Sequence, residues 1–92
     1  GYVGINENSF SNMISLMPNP VSDLLTIEFD GIEGDVTVEM MNIQGQVVHS
    51  DRYMNVKGNA TKRIDVSSLM KGMYIVKFIT DADIATMQDI VQ

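Results

Sequence analysis

A single histidine, no cysteine and twelve carboxylates are the raw material for chemistry in this 92-residue chain. Catalysis needs positioned acids, bases or nucleophiles, and no nucleophile-elbow glycine pattern accompanies them. His49 lies between Val48 and Ser50 with no second metal ligand at useful spacing, so a surface or partly buried structural role is the plainer reading. Asp81 and Asp83, and the cluster Asp30, Glu33 and Asp35, offer oxygen ligands of the kind calcium takes. Neither has the regular spacing and closing glutamate of a complete calcium loop, and both read as solvated turn carboxylates. Asn59-Ala60-Thr61 has the N-glycosylation pattern, too short a match to decide anything. No catalytic residue, cofactor or metal is expected, which leaves recognition of a surface as the remaining kind of function.

Composition narrows the partners. Six basic residues against twelve acidic ones give a formal net charge of -6, which speaks against a phosphate-tracking surface and so against nucleic acid. The apolar runs are a few residues long, far short of the ~20 needed for a helix to cross a bilayer, so no membrane insertion is expected. Without cysteine, disulfides and thiolate metal sites are excluded, and the redox compartment cannot be read. A chain of this length forms one domain that buries roughly two thirds of its unfolded surface. Its first residues lack a basic segment followed by an apolar one, so an exported protein would carry its signal outside this stretch.

The elements that position the surface begin at Met17-Pro18-Asn19-Pro20. Two prolines fix φ, remove amide donors and push the preceding residues out of helical geometry. Residues 1–13 before them show no sustained period and read as a linker, with a short strand at Ile14 to Met17. After the prolines, Leu25, Ile27 and Phe29 share one face of a strand, with Leu24, Thr26 and Glu28 on the other. Further alternating runs follow at Val36 to Met40, Gln46 to Met54, Ala60 to Val66, Met73 to Thr80 and Ala85 to Val91, separated by turn residues. Gly45 is the hinge of a tight hairpin. The run from Met73 to Thr80 is apolar on both faces and is expected to be central. Leu69, Gly72 and Tyr74 are spaced like a tyrosine corner, in which the phenol caps backbone just upstream. With no helical stripe, the pattern predicts an all-β fold, an immunoglobulin-like two-sheet antiparallel β-sandwich of about seven strands. The eight methionines are expected mainly to fill core gaps, and a Met-rich binding surface is the sharper alternative.

Three groups of residues, in order, resemble the C-terminal sorting domain of the type IX (Por) secretion system of Bacteroidetes secreted proteins. They are Pro18-Asn19-Pro20-Val21-Ser22-Asp23, then Asn42-Ile43-Gln44-Gly45-Gln46-Val47-Val48, and Ile64 to Leu69 continuing into Gly72-Met73-Tyr74-Ile75-Val76-Lys77. The resemblance covers residues 14–92 and implies a non-catalytic tail. Such a tail directs a covalently preceding cargo domain through the periplasm and the outer-membrane translocon, is handled by sortase-like components, and delivers the cargo to the cell surface or medium. It also implies that Pro18, Asn19, Pro20, Gly45, Leu69, Gly72 and Tyr74 carry structural motifs, and pairing of a sheet edge with a receptor strand is one mode of recognition. Where the family commonly places lysines in the final strand, residues 86–92 carry none and include Asp89. The alternative is an immunoglobulin-like accessory or adhesion module, carbohydrate-binding in one form. With no tryptophan and only three tyrosines and three phenylalanines, aromatic sugar platforms are scarce, Tyr53 being one candidate.

Overall fold

The computed structural model describes residues 10–92. Seven strands follow in chain order: β1 (Ile14–Met17), β2 (Leu24–Asp30), β3 (Gly34–Met41), β4 (Val47–Val56), β5 (Asn59–Asp65), β6 (Gly72–Ile79) and β7 (Ile84–Val91). All strand pairs are antiparallel, in a three-stranded sheet ordered β1-β2-β5 and a four-stranded sheet ordered β4-β3-β6-β7. The all-β sandwich read from the strand periodicity is the observed fold.

Alternation places the core. In β2, Leu25, Ile27 and Phe29 are buried while Leu24, Glu28 and Asp30 are exposed, the period-2 pattern of a half-buried strand. β3 buries Val36, Val38 and Met40, and β6 buries Tyr74, Val76 and Phe78. Phe29 from one sheet meets Phe78 from the other edge to face, ring centroids 6.1 Å apart, and makes a second edge contact with Tyr53 at 6.2 Å. Such pairs prefer tilted over stacked rings because the positive ring edge meets the negative face. β6 lies between β3 and β7, the central place expected of the run from Met73 to Thr80, and its outward Met73 is exposed.

The methionines correct one expectation. Only Met40 belongs to the buried core, whereas Met13, Met17, Met54, Met70 and Met73 are among the exposed large apolar residues. Val, Ile and Phe fill the space between the sheets, since β-branched and aromatic side chains suit facing pleated surfaces. Met87 packs half-buried against the core, and the five exposed thioethers form contact surface. Of the predicted linker, residues 1–9 lie outside the described residues, and Phe10 is buried with the core cluster.

Candidate functional site

Three irregular connections come together at one pole of the sandwich. Residues 18–20 bend the chain after β1, and both X-Pro bonds, Met17-Pro18 and Asn19-Pro20, are cis. Val21 then pairs in parallel with Val91 of β7: its amide donates to the Ile90 carbonyl at 2.8 Å, and its own carbonyl accepts from the Gln92 amide at 2.8 Å. Val91 is in turn the partner of Gly72 at the start of β6. The Pro-Asn-Pro bend, the end of the last strand and the corner before β6 are thus tied across consecutive backbone pairs.

The corner is built from short local bonds. The Leu69 amide donates to the Val66 carbonyl at 3.0 Å, and the Tyr74 hydroxyl donates to the Met70 carbonyl at 2.5 Å, the capping expected of a tyrosine corner. Before it, Asp65 Oδ1 accepts from the Ser67 hydroxyl at 2.6 Å and the Ser67 amide at 2.9 Å. These two bonds favour the ionised form and hold the Asp65 carboxyl below its ordinary pKa, with the hydroxyl bond the larger influence.

The hairpin between β3 and β4 is centred on Asn42. Its Oδ1 accepts from the amides of Gln44 at 2.9 Å and Gln46 at 3.0 Å, and its Nδ2 donates to Gln46 Oε1 at 2.9 Å. The Gly45 amide closes the turn on the Asn42 carbonyl at 3.0 Å. Gly45 has φ +85° and Gly72 φ +151°, values that L side chains rarely adopt. A Cβ at either position would meet nothing within 4 Å, so backbone conformation rather than crowding requires glycine there.

Hairpin and corner together line a groove of about 230 Å³, with Asn42, Ile43 and Gln44 contributed by the hairpin and Met70 to Tyr74 by the corner. Ile43 is 73% exposed and Met70 82%. The apolar surface continues over the outside of the four-stranded sheet. Cross-strand register sets Val47 beside Met41, Met41 beside Ile75, and Met73 beside Ile90. Directly opposed residues share a face, so these side chains form one patch that runs into the groove. Farther along the same face the rows turn polar, with Ser50, Glu39, Lys77 and Thr86 in line.

A family model described as the secretion system C-terminal sorting domain matches residues 15–92. The chain belongs to this family, the type IX sorting domains. No curated protein matches it. A domain of this kind is a C-terminal secretion signal on an exported protein, and the family is not catalytic.

The sorting domain places its predicted motif residues as follows. Pro18, Asn19 and Pro20 are exposed at the pole, Gly45 and Gly72 turn the two connections, Leu69 packs half-buried against the core, and Tyr74 is buried with its hydroxyl on the corner. The sequence motif includes Asn42 but assigns it no role of its own, although Asn at the first and Gly at the fourth position is a turn signature. Val21 likewise stands in the quoted Pro-Asn-Pro motif without a role, because its pairing depends on a strand seventy residues away and leaves no local signal.

His49 does not stand alone. Its Nε2 lies 2.9 Å from Asp51 Oδ2, and the Tyr53 hydroxyl donates to the same oxygen at 3.5 Å. These three alternate along β4 opposite buried Met40, Val38 and Val36, so they face the core side at the sandwich's open flank. From β5, Lys62 places its ammonium 5.3 Å from the Tyr53 ring centre, a cation–π contact. Tyr53 is therefore packed against Phe29 and covered by Lys62, and is not the exposed platform a sugar site needs. Among the described residues no group of three or more His, Cys, Asp or Glu could hold a metal ion. Asp35 is also engaged, accepting from the Asn55 amide at 3.0 Å and pairing with Arg52 at 3.3 Å.

Proposed function

We propose that the pole formed by Pro18 to Val21, Asn42 to Val47 and Met70 to Tyr74 is the surface by which the type IX outer-membrane translocon recognises this tail. In this reading residues 1–13 link it to a cargo domain, and residues 14–92 are the sorting unit. The cargo crosses the periplasm, passes the translocon, is met by sortase-like components, and reaches the cell surface or medium. The observation that carries the reading is that two of the three signature turns, the hairpin and the corner, line one exposed groove, while the Pro-Asn-Pro bend is tied to the same pole through the Val21–Val91 pair. Exposed apolar patches with adaptable Met side chains mark protein contacts.

The four sheet edges favour recognition through this pole over strand addition. β1 is four residues long and runs into prolines. The other three edge strands each carry a charged or ionisable residue on the inward face: Asp51 on β4, Lys62 on β5 and Asp89 on β7. Short edges and inward charges are devices that discourage edge pairing.

Fusion of residues 14–92 to a periplasmic reporter in a type IX-competent host tests the proposal. The reporter is expected outside the cell, and an Ile43→Glu/Met70→Glu variant, folded but altered at the groove, is expected to leave it in the periplasm. Retention of the unaltered fusion sinks the sorting role. Normal export of a folded double variant sinks the assignment of the pole.

A further inference from the structure

Among the described residues, Asp89 is the one buried polar or charged side chain, with 0% of its surface exposed. It sits on the inward side of the edge strand β7, two residues before Val91 and directly across from Tyr74. Its Oδ1 accepts from the Ile90 amide at 2.7 Å, while Oδ2 is buried with no hydrogen-bond partner. A buried carboxylate without a counter-charge loses hydration that nothing replaces, and the neutral acid loses far less.

The surroundings offer no compensation. β6 presents Tyr74, whose hydroxyl is committed to the Met70 carbonyl. The segment after Pro20 presents Val21, with Asp23 exposed, and at this end the three-stranded sheet turns buried Leu25 and Ile64 inward. β7 itself adds buried Ala85 and Val91. Burial accordingly raises the Asp89 pKa, opposed only by the Ile90 amide, and no charged side chain contributes.

We propose that Asp89 is an ionisation-controlled latch on the last strand: neutral, it lets β7 seat against the core, and ionised, it makes β7 and its Val21 bridge open more often. The latch stands on the packing of β7 and is independent of the sorting role. A carboxyl whose folded pKa lies above its unfolded value contributes stability in full below the unfolded value of 3.8. That contribution is lost as pH rises through the folded pKa. The strand that closes the four-stranded sheet is therefore held more loosely at neutral pH than in mild acid.

Hydrogen exchange on the full chain, compared with Asp89→Asn at each pH, reads the latch directly. At pH about 7.5, the Val21 and Gln92 amides and the β6–β7 ladder of the wild type are expected to open roughly five- to a hundredfold more often than in the variant, the range for one buried unpaired polar atom. Near pH 4 the ratio is expected to approach one. An equal ratio at both pH values overturns the proposal. Should Asp89→Asn not fold, NMR titration of the wild-type Asp89 carboxyl carbon decides: a midpoint well above 3.8 supports the latch, and one at or below it overturns it.

Discussion

Val21 and Val91 pair in parallel across the seam of the sandwich, so the residue that follows the Pro-Asn-Pro bend is fastened to the end of the last strand. Both are buried, at 1% and 3% exposure, and two backbone bonds flank the contact. Truncating either side chain removes buried methyls and leaves a void, at about 1–3 kcal/mol for Val→Ala. Urea unfolding of Val21→Ala, Val91→Ala and the double variant is expected to show non-additive losses, because the two occupy one contact. Simple additivity would mean that the bend and the last strand are held independently.

Tyr74 tests the corner separately from the core. Tyr74→Phe keeps the buried ring and deletes only the bond to the Met70 carbonyl. A loss of about 1 kcal/mol is expected in chemical unfolding, the usual net value of one such bond. An NMR spectrum of the variant is expected to move at residues 69–73 and remain unchanged at the distant Phe29–Phe78 contact. If stability does not change, the phenol is not what holds the corner.

The succession of strands along the chain, their buried faces and the central place of β6 were legible in the sequence because alternation is a local signal and each strand repeats it. Gly45 and the Leu69-Gly72-Tyr74 spacing were legible for the same reason, since turn chemistry lies within a few residues. The pairing of Val21 with Val91 and the meeting of Asn42 with Met70 around one groove depend on topology, which no short window contains. Asp89 shows the other limit. A carboxylate in a strand that alternates Ala85, Met87, Asp89 and Val91 inward breaks the expected pattern, and only the closed core reveals that its second oxygen is unpaired. The methionines misled because composition counts thioethers without saying which face carries them.

The inward charges on the flank are expected to guard it. Lys62 lies opposite buried Ile27, and Asp51 opposite buried Val38, positions where an apolar residue would add core contact. Replacing both by Val extends the apolar face to two unprotected edges. The double variant is expected to self-associate at concentrations where the wild type is monomeric, as read by analytical ultracentrifugation, while its monomer is no less stable. Unchanged sedimentation would assign these charges no part in edge protection.

Tyr53 gives the fold a defined alkaline limit. Burial is the main cause that pushes its phenol from 10.0 up to about 12, and the Asp51 charge and hydrogen bond add to it. The folded state therefore keeps the proton longer than the unfolded chain does. Below pH 10 both states hold it and its stabilising contribution is complete; between 10 and about 12 the unfolded state ionises first and that contribution is lost. Ultraviolet titration of tyrosinate in the folded protein is expected to show a late step from Tyr53, and Tyr53→Phe should remove that step and flatten the alkaline fall in stability. Asp51→Asn leaves the burial in place and deletes the charge, so the late step should move down in pH without disappearing. A late step that survives Tyr53→Phe would belong to another tyrosine and would detach the His49–Asp51–Tyr53 row from the alkaline behaviour of the domain.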